Sequence, residues 1–150
     1  PDGSLYSYTK QHLHGTETAV FTQGHGGPLI SVQEQQIGLA ICADILLPSH
    51  PQCAADGGAQ VYAAGVLITE KSYPQESAML QGYAKQHGMA VLLANHCAPT
   101  GGWVPAGRSA AWDESGRLIV ATNASDDSLA VAQKSADGWT GATYPLHFTH

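Results

Sequence analysis

An uninterrupted apolar run at residues 37–42, Ile-Gly-Leu-Ala-Ile-Cys, most constrains the fold of this chain. A strand without polar residues on either side is buried on both faces, which is typical of the interior of a parallel or mixed sheet. The run ends at Cys42, and Ala43 and Asp44 follow at once. Because open α/β sheets bind ligands beyond the carboxyl ends of their strands, Cys42 is a candidate nucleophile. A lone cysteine is more often a packing residue, since its thiol behaves as a small hydrophobe.

The spacing of apolar residues changes along the chain between that typical of strands and that typical of helices. A short helix is expected between Pro48 and Asp56, and a longer one capped by Ser72 and running to about His87, with Gly88 ending it. Strand, helix and strand in this order indicate an α/β fold with a partly parallel sheet. The expected strands cover residues 5–10, 29–32, 36–42, 60–66, 89–94, 109–113, 118–122 and 128–133.

Two stretches give weaker signals. Residues 11–28 are turn-rich and predict a loop, and no phosphate-binding motif follows their glycines. Residues 134–150 show no firm period, so Trp139 and Tyr144 are interpreted as packing anchors. Asp2 and Gly3 suggest a turn between strands, as if the chain began within a fold.

Length and charge exclude several classes of protein. The 150 residues suit one domain with a sizeable core. A net charge of −6 with six Lys and Arg argues against a nucleic-acid partner, which requires a basic surface. No apolar run reaches the length of a membrane span, so no membrane partner is expected.

Cysteine and histidine spacing gives no metal motif. The cysteines at 42, 53 and 97 are neither paired nor arranged as C-x-x-C, which favours a reducing, cytoplasmic location. Packing is the expected role of Cys53 and Cys97. His12 and His14 would share one face of the strand predicted at residues 5–10 and its continuation, but two ligands do not close a metal site. We therefore expect no metal.

Lys10 and Glu17 place an ammonium and a carboxylate upstream of Cys42. Amide hydrolysis needs a nucleophile, a group that stabilises charge on the carbonyl oxygen and a group that moves protons. An ammonium near a thiol favours the thiolate and stabilises an anionic tetrahedral intermediate. The backbone N–H of Ala43 would be a second donor to that oxyanion. Either charged residue alone would be an ordinary solvated side chain.

Several blocks of this sequence resemble the carbon-nitrogen hydrolase family, which is the nitrilase superfamily. Tyr-Thr-Lys-Gln-His-Leu at residues 8–13, followed by Glu17, is similar to the lysine block of the family, and residues 38–44 are similar to its nucleophile block. The resemblance covers about residues 5–131. Later landmarks of the family are matched by residues 91–95, 107–109 and 113–116.

This resemblance implies the α-β-β-α sandwich of the nitrilase superfamily and a thioester formed on Cys42, with no cofactor. It implies that Lys10 stabilises the oxyanion, and that Glu17 orients Lys10 and contacts substrate. The general-base glutamate of the family's Glu-Lys-Cys triad precedes Lys10, and no residue here replaces it. We expect residues 1–150 to be the C-terminal part of a single domain, lacking its N-terminal strands and helices. The expected partners are that N-terminal half and further copies of the protein, in a homodimer or larger oligomer.

The resemblance favours hydrolysis of a non-peptide C–N bond in a small amide, an ω-amide or a carbamoyl compound. Ala43 stands where many members have an aromatic residue, and its small side chain would reshape the acyl pocket. Two alternatives stay open at this point. One is a catalytically incomplete interaction module, and the other is acyl transfer to an amine in place of water.

Overall fold

The computed structural model describes residues 3–124 and 127–146 of the chain. In these ranges the polypeptide forms two sheets and two α-helices. Short 3-10 helices lie at Glu17–Ala19 and Cys42–Leu46. The α-helices are α1 (Ser49–Asp56) and α2 (Tyr73–His87), and the strands are β1 (Ile30–Val32), β2 (Gln35–Ile41), β3 (Val61–Val66), β4 (Ala90–Asn95), β5 (Ala110–Trp112), β6 (Leu118–Ala121), β7 (Ser128–Ser135) and β8 (Gly138–Pro145).

The larger sheet of the described residues has the strand order β1-β2-β3-β4-β5-β6. β2, β3 and β4 are parallel, whereas β1, β5 and β6 pair antiparallel with their neighbours. Parallel neighbours need a crossover connection, and α1 and α2 provide the two crossovers here. The carboxyl ends of the three parallel strands therefore meet at one edge of the sheet, and the predicted mixed α/β fold is confirmed.

Local sequence determines where the long helix begins and ends. α2 starts directly after Ser72, has Pro74 in its first turn and stops at Gly88, whose φ of +62° suits glycine. Ser72 occupies the predicted capping position, but its hydroxyl contacts Thr69 and does not cap the helix. The predicted helix after Pro48 is confirmed as α1.

One face of the larger sheet carries the core. Alternate strand residues face α1 and α2, as the period of two requires. Gly38 lies against α1, where a Cβ atom at this position would stand 3.0 Å from the Cβ of Ala54. The strand and helix residues buried in this cluster include Ala40, Tyr62, Ala64, Leu80, Tyr83, Ala84, Val91 and Leu93.

The opposite face of the sheet is apolar and only partly covered. The sequence predicts burial of β2 on both faces, but among the described residues one face is buried and the other is only partly covered. Side chains that alternate with the core positions are half-buried rather than buried. They are Ile37, Leu39, Val61, Ala63 and Leu92.

The strand predicted at residues 5–10 is absent, and this prediction is wrong. Residues 3–10 are described, and they form a single bridge in which Thr9 and Gly26 exchange backbone hydrogen bonds of 3.0 and 2.9 Å. Tyr6 is exposed, whereas the Tyr8 hydroxyl reaches the nucleophile region. Alternating Tyr and Thr residues have high β propensity, but no described strand lies beside this segment. The loop predicted at residues 11–28 contains only the 3-10 turn.

The second sheet was only half predicted. β7 pairs antiparallel with β8, a strand whose residues show no periodic pattern. Trp139 on β8 donates from Nε1 to Glu114 at 2.8 Å, in agreement with its predicted anchoring role, whereas Tyr144 is 54% exposed. The turn predicted at Asp2 involves a residue outside those described. Within the described ranges the longest helix has 15 residues, fewer than the roughly 20 that cross a bilayer, and none qualifies as a span.

Candidate functional site

Cys42 lies at a sharp turn between β2 and the 3-10 helix Cys42–Leu46. Its φ is +49°, a conformation that non-glycine residues rarely adopt and that marks stored backbone strain. The thiol is half-buried. Ala43 is in the first turn of the 3-10 helix, where N–H groups have no partner within the helix. This turn therefore places a thiol and a free backbone donor at the edge of the sheet.

A cavity of about 310 Å³ opens beside this turn. Cys42 and Ala43 line one side, and Glu17 lines another. Glu76 in the first turn of α2 and Trp103 in the loop before β5 also line it. The volume is at the lower end of the roughly 300–1,000 Å³ typical of small-molecule sites.

Lys10 and Glu17 form an ion pair at this cavity. The Glu17 carboxylate also accepts a 2.6 Å hydrogen bond from the backbone N–H of His14. The Lys10 hydrogen bond, followed by that from His14, lowers the pKa of Glu17 below its ordinary value. Lys10 lines the adjoining cavity, and Glu17 borders both. The structure thus brings Glu17 to the Cys42 cavity and Lys10 to Glu17.

Asp44 connects the Lys10 segment to the Cys42 turn. This side chain is fully buried. Its Oδ1 accepts hydrogen bonds from the backbone N–H groups of Gln11 at 3.1 Å and His12 at 2.7 Å. Its Oδ2 accepts from the Ile41 N–H at 3.0 Å and from the Tyr8 hydroxyl at 2.7 Å. Burial acts to raise the pKa of Asp44, but the hydrogen bonds outweigh it and the pKa lies below its ordinary value.

His50 extends this network away from the cavity. Its Nε2 contacts the Tyr8 hydroxyl at 2.9 Å and the Gln11 amide at 3.1 Å, and its Nδ1 contacts the Tyr62 hydroxyl at 2.8 Å. Burial lowers the pKa of His50, against the opposing effect of the Asp44 charge. Burial raises the pKa values of the Tyr8 and Tyr62 hydroxyls, because it disfavours their charged form. The network is therefore built from a neutral imidazole and neutral phenols around one carboxylate.

Three side chains of this network have the atom types that bind metals. One ligand atom each from His12, Asp44 and His50 lie within 4.8 Å of one another. Both Asp44 oxygens already accept hydrogen bonds from backbone amides. His14, which the sequence pairs with His12, lies instead at the Cys42 cavity. The chemistry of these donors fits a hydrogen-bonding role.

Asn95 holds the segment after β3 in place. Its buried side chain accepts from the Ile68 N–H at 2.7 Å and donates to the carbonyls of Ile68 at 3.2 Å and Gly107 at 2.6 Å. Next to it, Arg108 pairs with Glu70 at 3.0 Å. These contacts position the cavity wall formed by residues 66–69.

Sequence reasoning missed part of this site. Glu76 and Trp103 gave no signal, because only the fold brings α2 and the loop before β5 together. The packing role expected for Cys53 is wrong, since this residue is exposed. Cys97 is half-buried, and a hydrogen bond from its thiol to Asp127 at 3.3 Å raises its pKa.

Comparison with known proteins agrees with the mixed α/β fold. The carbon-nitrogen hydrolase family model matches residues 1–143. A structure of a variant of the amidase from Nesterenkonia sp. AN1, showing covalent addition of the acetamide moiety of fluoroacetamide at the active-site cysteine, is 27% identical with a TM-score of 0.69 and covers 91% of this chain and 48% of that one.

Two further structures support this result. The NitN amidase of the same organism is 30% identical over 79% of this chain and 47% of that one, with a TM-score of 0.68. Saccharomyces cerevisiae Nit3, a member of branch 10 of the nitrilase superfamily, is 20% identical and shares the fold, with a TM-score of 0.74 over 83% of this chain and 46% of that one. The chain spans about half the length of the structures that it matches. With the family model matched over nearly all of its residues, the chain belongs to the carbon-nitrogen hydrolase family of the nitrilase superfamily.

Proposed function

We propose that this chain carries the nucleophile of an amidase that hydrolyses non-peptide C–N bonds in small amides, ω-amides or carbamoyl compounds. One observation carries the proposal. Cys42, on a strained turn at the carboxyl end of β2, lines the same cavity as Glu17, which is paired with Lys10. A nucleophile and a free backbone donor at one cavity, with a cation held by a carboxylate of its wall, are parts that acyl transfer from an amide requires.

The proposed reaction has two steps. In the first, the Cys42 thiolate attacks the carbonyl carbon, and the C–S bond forms while charge moves to the carbonyl oxygen. Lys10 and the Ala43 N–H stabilise that oxyanion. The C–N bond then breaks, and the nitrogen leaves as the protonated amine or ammonia. In the second step water attacks the thioester, releasing the acid and restoring the thiol.

Proton transfer in both steps needs a general base. We propose that a glutamate outside these 150 residues takes the thiol proton, delivers it to the leaving nitrogen and then activates water. Glu17 is not assigned to this task, because its lowered pKa and its ion pair with Lys10 suit a group that stays ionised. Its proposed role is to orient Lys10 and to contact substrate.

The proposal includes the rest of a larger domain. The partly covered apolar face of the sheet supports this view, as does the match to about half the length of the solved structures. We infer that a second layer of the α-β-β-α sandwich covers Ile37, Leu39 and Leu92. Assembly as a homodimer or larger oligomer and a cytoplasmic location are further parts of the proposal, and the three unpaired cysteines favour a reducing compartment.

Two measurements on one preparation of the full-length protein, which includes the proposed general base, test the function. The first is release of ammonia from short aliphatic amides, with Cys42→Ser as the inactive variant and Cys53→Ser as the matched control. The second is alkylation by iodoacetamide, with the labelled cysteine located by peptide mass spectrometry. We expect activity that depends on Cys42 and labelling that favours Cys42 over the exposed Cys53. Equal, slow labelling of both thiols without ammonia release would identify a non-catalytic module.

A hydroxylamine trap distinguishes hydrolysis from acyl transfer. If water is the preferred acceptor, amide turnover in the presence of low hydroxylamine yields mainly the carboxylic acid. A predominance of hydroxamate, formed when hydroxylamine attacks the thioester, would assign the chain to an acyltransferase.

A further inference from the structure

A second carboxylate, that of Glu76, lines the Cys42 cavity and is not needed for the proposed reaction. It belongs to the first turn of α2 and is half-buried. In the described residues, no Lys, Arg or His nitrogen lies within 4.0 Å of this carboxylate, whereas Glu17 is neutralised by Lys10. The cavity wall therefore holds one carboxylate that has no cationic side-chain partner among the described residues, and it holds no lysine or arginine.

The aromatic side chain of Trp103 belongs to a residue that lines the same cavity. A tight turn places it there, since the N–H groups and carbonyls of Thr100 and Trp103 exchange hydrogen bonds of 3.1 and 2.8 Å. Gly101 and Gly102 between them have φ values of +54° and +81°, which the turn requires. Trp103 is 53% exposed, so its ring is open to a bound molecule. Tryptophan is the side chain that attracts a cation most strongly through its ring face.

We propose that Glu76 and Trp103 select substrates that carry a cationic nitrogen, such as an aminoalkyl or guanidinoalkyl chain, on the amide that Cys42 attacks. This inference rests on the proposed function and names its substrate class. A carboxylate that is partly removed from water favours an opposite charge and penalises a like charge. An indole face adds attraction for an ammonium or guanidinium but not for a neutral alkyl group. Anionic amides are disfavoured for the same reasons.

The size of the cavity agrees with a short chain. Its volume of about 310 Å³ suits a small linear molecule. His14 also lines this cavity and is exposed.

Charged thiol reagents test this preference without requiring turnover. Cationic, neutral and anionic methanethiosulfonates of similar size all transfer their thioalkyl group to a thiolate, which forms a disulfide and releases methanesulfinate. Labelling of Cys42 is measured at pH 8 and low salt by peptide mass spectrometry, and each rate is divided by the rate at exposed Cys53. We expect the cationic reagent to label Cys42 about tenfold faster than the neutral one on this scale, and the anionic one more slowly.

The variants assign the preference to its source. Glu76→Gln is expected to bring the cationic and neutral rates within about twofold, and Trp103→Leu to reduce the preference less. Glu34→Gln, in the turn at the opposite end of β2, is the matched control and keeps the preference. Thermal unfolding of each variant verifies that it is folded.

Equal rates for cationic and neutral reagents in the unsubstituted protein, or a preference that survives in Glu76→Gln, overturn the inference. A different result would refute the proposed function: a protein that does not hydrolyse amides can still show the charge preference at Cys42. Where hydrolysis is present, the matching result is a higher kcat/KM for an ω-ammonio amide than for the neutral amide of equal length. Glu76→Gln removes that difference.

Discussion

The carboxylate of Asp44 accepts a 2.7 Å hydrogen bond from the backbone N–H of His12. His12 is two residues after Lys10, and Asp44 is two residues after Cys42. The bond therefore joins the two segments that carry the proposed oxyanion stabiliser and nucleophile. A backbone donor and a buried carboxylate make this connection stiffer than contacts between long, flexible side chains would.

Asp44→Asn is expected to lower the free energy of unfolding by roughly 2–4 kcal/mol. The amide retains one acceptor oxygen and presents an NH₂ group toward backbone donors, so a buried N–H of Gln11, His12 or Ile41 loses its acceptor. Urea unfolding measures the change. Asp56→Asn is the matched control, because Asp56 is exposed at the end of α1 and its replacement should change stability by less than about 0.5 kcal/mol. A similar small effect at Asp44 would contradict its role as the connection.

Glu17→Gln is expected to lower kcat for amide hydrolysis about 10- to 100-fold, because Lys10 loses the partner that orients it. The pair is partly exposed, so stability should change by less than about 1 kcal/mol. Glu114→Gln removes the partner of Lys134 in a comparable ion pair that does not line the Cys42 cavity. Steady-state kinetics of both variants provide the comparison. Equal activities would show that the Lys10 pair has no part in the reaction.

Several strands and helix boundaries were predictable from short stretches of the sequence. The apolar run of β2, the Ser72 and Gly88 boundaries of α2 and the paired strands β5 and β6 follow from patterns within a few residues. The position of Cys42 was predictable for the same reason, since it directly follows the apolar residues 37–41. The family resemblance added Lys10 and Glu17, and the structure places these two in contact.

Other features depend on distant parts of the chain. The hydrogen-bond donors to Asp44 at Tyr8, Gln11 and His12 are more than 30 residues away, and no pattern near Asp44 indicates them. Residues 5–10 have a strand-like alternation that lacks a neighbouring strand in the described part of the chain. Strand β8 has small and polar residues, so its pairing with β7 determines its structure.

His50 is expected to make the protein less stable as the pH falls below about 6.5. Burial lowers the pKa of His50 in the folded state. As the pH falls, the unfolded chain therefore binds a proton before the folded protein does, and this binding stabilises the unfolded state. This contribution to stability is complete above the ordinary pKa of histidine and is lost as the pH falls toward the folded value. Urea midpoints at pH 7.5 and 5.5 measure the loss, and His50→Gln should make it smaller. His25→Gln, at an exposed loop position, is the comparison variant. An unchanged difference between the two pH values in His50→Gln would refute the assignment.

Gly38→Ala should destabilise the protein by about 1–3 kcal/mol, since the added methyl group meets the Cβ of Ala54 on α1 at 3.0 Å. That atom is fixed to the helix backbone and cannot rotate away, so α1 itself must move from the sheet. Gly65→Ala on the adjacent strand β3 is the matched control, because a Cβ atom there has no heavy atom within 4 Å. Reduced freedom of the unfolded chain should leave Gly65→Ala unchanged or more stable by about 0.4–1 kcal/mol. Thermal unfolding of the two variants measures both effects, and equal midpoints would show that α1 does not pack closely against β2.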